Sequence, residues 1–76
     1  MKSVLTIKPK QWVDPKHETD SLEMAIQDVN GVLRASYDWK NSKVDVEYDD
    51  EEEDFDILDL WRAVQYTGKF QVLSVS

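Results

Sequence analysis

Apolar side chains recur along the chain with two different periods, and the changes of period divide it into six segments. Over residues 3–9, Val4, Leu5 and Ile7 flank Thr6 and Pro9 ends the run, which predicts a short strand closed by a breaker. Leu22, Ala25, Ile26 and Val29 then repeat at the i, i+3, i+4, i+7 spacing of a helix, and Asn30-Gly31 supplies a pair suited to the left-handed geometry that ends one. The sequence offers this helix two starts, Asp14-Pro15 as N-cap and first helical residue, or Asp20 with Glu23 as a capping box. Residues 32–39 and 43–49 are β-rich. In the second of these, Val44, Val46 and Tyr48 alternate with Asp45, Glu47 and Asp49, so one face is buried and the other solvated, and the short link Lys40-Asn41-Ser42 makes the two a hairpin. Residues 55–69 carry a broad apolar stripe, Ile57, Leu58, Leu60, Trp61 and Val64, that stops at Gly68, and the acidic run 49–54 before it suits the positive end of a helix. Phe70, Val72 and Leu73 mark a last strand over 70–75.

The order is βαββαβ. Right-handed crossovers of this length place the first and third strands in the middle of one antiparallel sheet with both helices on a single face, an α+β ferredoxin-like sandwich. One domain, 1–76, is expected, with Leu22, Ile26, Val29, Val44, Val46, Leu58, Trp61 and Val64 in its core. A chain of 76 residues buries only roughly 60–65% of the surface it exposes when unfolded, so most large apolar residues are needed for the core.

Charge narrows the function. Sixteen acidic against nine basic residues give a formal charge of −7, which repels phosphates and anionic lipid and leaves a protein partner with a basic contact face as the expected one. Nucleic acid and membrane are not expected partners, and the chain is expected to be a monomer or a weak dimer. There is no cysteine, so disulfides and thiolate ligands are excluded and a cytoplasmic, reducing setting is favoured. No apolar run of signal-peptide or membrane-spanning length occurs, which reads as a soluble, unprocessed chain. With one histidine, no cysteine and no Gly-rich phosphate loop or nucleophile elbow, the sequence is not that of an enzyme.

The stretch LEMAIQDVNGVLRASYDWKNSKVDVEYDD, residues 22–50, resembles the heavy-metal-associated (HMA) domain of copper chaperones and metal-pumping ATPases, whose first helix ends in a hydrophobic-x-Gly-Val step before a Val-x-Val-x-Tyr-Asp strand. WRAVQYTGKFQV, residues 61–72, is similar to the Thr-Gly-Lys loop of eukaryotic copper chaperones, and the likeness spans residues 4–75. In that family a Met-x-Cys-x-x-Cys loop holds soft metal. Aligned on Asn30-Gly31-Val32, the resemblance puts Val13 at the Met position and Pro15 and Glu18 at the two Cys positions. It also places Lys69 at the lysine that offsets a thiolate-bound ion, and here that charge could pair with Glu18 or Asp14 instead.

Copper(I) prefers sulfur, so copper(I) is not expected and no cofactor is required. Two readings of VDPKHET, residues 13–19, follow. In the first, the module has lost its thiolate site and acts through protein contact or regulation, with Trp12, Lys69, Glu51, Glu52 and Glu53 as contact residues. In the second, His17, Glu18 and Asp14 carry a divalent ion such as zinc, nickel or cobalt, in a carrier or sensor linked to metal transport. The run 49–54 lacks the spacing of a calcium loop. Trp12 and Trp39, outside the repeating pattern, either cover an end of the core or form a partner patch.

Overall fold

The structure is a computed structural model and describes residues 1–51 and 55–76. Six elements follow in the predicted order: β1 (Lys2–Pro9), α1 (Thr19–Gln27), β2 (Val32–Asp38), β3 (Lys43–Tyr48), α2 (Ile57–Tyr66) and β4 (Phe70–Val75). They build a four-stranded antiparallel sheet of order β2-β3-β1-β4. Central β1 pairs with β3 on one side (Leu5 opposite Val44) and with β4 on the other (Lys8 opposite Gln71). The fold is the ferredoxin-like sandwich that the element order predicts.

Alternation along the strands decides what is buried. Leu5 and Ile7 of β1, Ala35 and Tyr37 of β2, Val44 and Val46 of β3, and Phe70 and Val72 of β4 point to the helix side, where Leu22, Ile26, Leu60 and Val64 close over them. Val13, Val29, Phe55 and Trp61 are half-buried at the margin of this core. Tyr37 meets Phe70 edge to face, ring centroids 5.6 Å apart, and Tyr48 stacks on Phe55 at 4.5 Å. Each such pair adds about 0.5–1.5 kcal/mol beyond burial.

The helix ends depart from the sequence expectation in instructive ways. Neither Asp14 nor Asp20 caps α1; the cap position is Glu18, without a side-chain cap bond. Residues 15–18 form turns instead, because Asp14 accepts a bond from the Lys16 N–H (3.1 Å) and its carbonyl one from the His17 N–H (3.1 Å), which holds the chain in a local turn before the helix starts. Glu23 does not complete a capping box, since its carboxylate accepts from the Tyr37 N–H of β2 at 2.7 Å. Helix α2 is capped at Asp56, which accepts from the Leu58 N–H at 3.0 Å. Gly31 (φ 93°) and Gly68 (φ 72°) take the left-handed conformations expected after the helices.

One core expectation is overturned. Leu58 is 51% exposed, whereas Leu60 is fully buried. The stripe on α2 is wider than the surface the sheet can cover, so Leu60 and Val64, four apart, take the inner line and Leu58 falls outside it, beside Arg62 and Gln65. Leu60→Ala and Ile26→Ala are therefore expected to cost about 2–5 kcal/mol each in urea unfolding, and Leu58→Ala less than about 1 kcal/mol. Equal losses at positions 58 and 60 would contradict this assignment.

Candidate functional site

Four segments meet at the end of the sheet where β1 finishes: the β1–α1 loop, the β2–β3 turn, the C-terminal end of α2 and the start of β4. The β1–α1 loop is tied down at both ends. The Lys10 N–H donates to the Lys69 carbonyl at 2.9 Å, and the Val13 N–H to the Lys10 carbonyl at 2.9 Å, while Thr19 Oγ1 donates to the Pro15 carbonyl at 3.2 Å. Val13 packs half-buried against the core, as an apolar residue beneath the loop should.

Glu18 and Lys69, 51 positions apart, meet across this end: Lys69 Nζ donates to Glu18 Oε2 at 2.8 Å in a partly buried pair. Thr67 holds the lysine's backbone, with its Oγ1 accepting from the Lys69 N–H at 3.2 Å and donating to the Val64 carbonyl at 2.7 Å. The hydroxyl thus closes the last turn of α2 and aims the next segment at the loop. Of the two partners open to Lys69, Glu18 is the one it takes.

The other candidate ligands do not gather with Glu18. His17 Nε2 lies 3.6 Å from Asp14 Oδ2, both side chains well exposed, while the Glu18 carboxylate is turned to Lys69. Among the described residues no group of three or more His, Asp or Glu converges on one point. The donors that stand in the loop are thus an exposed imidazole with one carboxylate and, separately, a carboxylate neutralised by an ammonium. Neither set contains sulfur or fits copper(I).

The proposed contact residues are spread out. Trp12 is 69% exposed beside the loop. Trp39 lies under two ammonium groups, Lys16 Nζ at 5.9 Å and Lys40 Nζ at 5.8 Å from its ring centre, distances at which cation–π attraction operates. Lys69 is committed to Glu18. Glu51 is exposed at the opposite end of the molecule, and Glu52 and Glu53 lie outside the described residues. A groove of about 360 Å³ on the open face of the sheet, lined by Lys2, Val4, Arg34, Ser36, Asp45 and Glu47, is remote from all of these loop residues.

Sequence reasoning missed the role of Asp38. In the β2–β3 turn its carboxylate accepts from Asn41 Nδ2 at 2.7 Å and from the Lys40 and Asn41 N–H groups, and this closes a turn in which Ser42 has φ 56°. The Asn41 side-chain bond, chiefly, holds the Asp38 carboxyl below its ordinary value. Tyr37, the preceding residue, has a buried hydroxyl without a hydrogen-bond partner among the described residues, and burial followed by the Asp38 charge pushes its phenol up. The aspartate preceding a Trp-Lys-Asn turn was a readable signal of such a carboxylate-capped turn.

The sequence matches no family model and no curated protein. Solved structures do match the fold. The CopZ metallochaperone superposes with a TM-score of 0.80 at 22% identity, over 96% of this chain and 100% of that one. A copper binding domain from HMA7, a P-type ATPase, gives 0.72 at 21% identity over 100% and 99%. The copper chaperone of Enterococcus hirae, in its apo form, gives 0.71 at 19% identity over 93% and 98%. The chain therefore shares the fold of copper-chaperone and copper-binding domains over its whole length, and has no cysteine with which to hold their metal as a thiolate complex.

Two outcomes are expected here. Asn41→Ala should raise the Asp38 titration midpoint, followed by carboxyl NMR. Because the folded-state value is depressed, the carboxylate's stabilisation is present above the unfolded value and is lost as pH falls through the folded one, and the variant, which keeps the Lys40 and Asn41 backbone bonds, should lose part of that acid-side dependence. Glu18→Gln should cost no more than about 1 kcal/mol, as for other partly exposed ion pairs.

Proposed function

We propose that this chain is an HMA-like domain that has exchanged its metal loop for an ion-paired one and works by protein–protein contact rather than by carrying copper. The observation that carries the reading is the Glu18–Lys69 bridge at 2.8 Å. By the resemblance, Glu18 stands at the second thiolate position and Lys69 at the lysine that offsets the thiolate-bound ion. A carboxylate there satisfies the lysine without any metal, so the loop is held shut by the chain's own charges. The domain is non-catalytic and cytoplasmic in this reading, a regulatory or docking module tied to a metal-transport system.

Its partner presents a basic contact face to the acidic end around Asp49, Asp50 and Glu51. Charge of one sign accelerates association with an opposite surface and does so less as salt rises. Glu51, Glu52 and Glu53 changed together to Gln should flatten the salt dependence of the association rate, read by stopped flow or surface binding; unchanged kinetics would remove the acidic run from the interface.

The exposed His17–Asp14 pair favours a second reading, weak transport or sensing of zinc, nickel or cobalt through two donors of this chain and others from solvent or a partner. Titrating these ions against the His17 ring protons separates the readings: saturation near one equivalent at micromolar concentration supports the metal role, and no shift supports the contact role.

For copper(I), competition against a chelator is expected to leave the wild-type chain without metal. Pro15→Cys combined with Glu18→Cys is expected to gain binding of one ion, because the frame then supplies two thiolates at the spacing the resemblance implies. Copper transfer to the wild-type chain would overturn the proposal and point to the exposed Met1 and Met24.

A further inference from the structure

The two edges of the sheet are built differently. At the β2 edge the Tyr37 N–H, which faces away from β3, is already taken by Glu23 Oε2 at 2.7 Å, and Arg34 and Asp38 place charges along the strand. Occupied ladder groups and edge charges keep a strand from pairing with another chain. β4 has neither. It reads FQVLSV, with no charged residue, proline or glycine, the composition of a segment that pairs readily.

Its backbone is free to do so. The Lys69 carbonyl accepts from Lys10, and Ser76 exchanges both of its bonds with Val4, each at 2.9 Å, so these residues face β1. Alternation along an antiparallel strand then turns the N–H and C=O groups of Phe70 and Val72 outward, where no other described element bonds them. Beside them Leu73 is 53% exposed.

The distribution of charge identifies the occupant. Lys8, Lys10, Lys16, Lys40, Lys43 and Lys69, six of the nine basic residues, lie at the loop end of the molecule with four acidic ones, Asp14, Glu18, Asp20 and Asp38, which leaves a positive excess there. Asp28, Glu47, Asp49, Asp50, Glu51 and Asp56 lie at the other. β4 runs from the basic end to the acidic end. A copy of β4 laid antiparallel against it sets the basic end of each molecule beside the acidic end of the other, at both extremities of the contact. Parallel pairing would set like against like.

We propose that β4 is the pairing edge for a second copy of this chain, joined antiparallel about a two-fold axis so that two four-stranded sheets become one. The register shift opposite Thr6 and Ile7 twists the far half of the strand, which confines regular pairing to the stretch around Phe70–Val72 and keeps the association reversible. The inference is independent of what the β1–α1 loop binds.

A chain without cysteine makes the test direct. Gln71→Cys, exposed and opposite its own copy at the centre of the paired stretch, is expected to give a disulfide-linked dimer on mild oxidation, while Leu33→Cys, 68% exposed on β2, stays monomeric. In the unsubstituted protein, amide exchange at Phe70 and Val72 should slow by about tenfold or more between dilute and millimolar solution, with Ala35 of β2 unchanged, since only bonded amides gain protection. Leu73→Lys, which keeps an exposed position exposed, should remove that concentration dependence. Exchange at Phe70 and Val72 that is independent of concentration, or cross-linking at Leu33 as efficient as at Gln71, overturns the proposal.

Discussion

Leu5 and Ile7 of β1 are sealed between the neighbouring strands and the two helices, and the position of everything else follows from that burial. β1 is the central strand that pairs with both β3 and β4, so its inward residues fix the register of both partners. Once Ile7 is buried, Pro9 marks where the strand must stop and the chain must turn back toward α1. The loop that carries Val13, Pro15 and Glu18 is thus placed over the start of β4, within reach of Lys69. A small core leaves little slack: one side of one sheet is covered by two helices of nine and ten residues, and the segments at its loop end are held by bonds between loops.

That dependence explains why the Glu18–Lys69 pair sits in a frame that other contacts already fix. Val13 packs beneath the loop, the Lys10–Lys69 backbone bond joins its first residues to β4, and Thr67 aims Lys69. At the tip, a carboxylate and an ammonium satisfy each other. Such a pair contributes little to stability in its own right, about 0–1 kcal/mol. Its consequence is conformational: Glu18 is held toward Lys69 and away from His17, which separates the carboxylate from the imidazole that a hard-ion site would need beside it.

The fold was legible because two periods, near 3.6 and 2, divide the chain without ambiguity and because Asn30-Gly31 and Gly68 mark real left-handed turns. What the sequence could not resolve were the edges of those patterns. The α2 stripe contains apolar residues over more of its circumference than a sheet can cover, so nothing local distinguishes Leu58 from Leu60; the choice is made by the helix's orientation on the sheet. Asp14-Pro15 is a sound helix start by its residue types, yet Asp14 spends its carboxylate on Lys16 and the helix waits until Thr19. At the site, Lys69 and Glu18 were suspected only through family resemblance, since a contact between positions 51 apart leaves no mark on periodicity. Asp38 and Glu23 were missed as organisers because each acts on a backbone N–H made accessible by the fold.

The formal charge of −7 gives an incomplete account of how this molecule meets others. Averaged over the chain it repels any acidic surface, but six of the nine bases lie at the loop end, with two tryptophans and only four acids, Asp14, Glu18, Asp20 and Asp38, so each end presents its own field to whatever lies within about 8 Å, the screening distance at physiological salt. A partner approaching the acidic end and one approaching the loop end therefore meet surfaces of different charge balance. The Lys16–Trp39–Lys40 group adds to this, because it brings two ammonium groups within cation–π range of one indole ring. An arrangement of this kind steers orientation more than it adds affinity. It is effective only in a rigid frame, and here the rigidity comes from the same buried strand that places the loop.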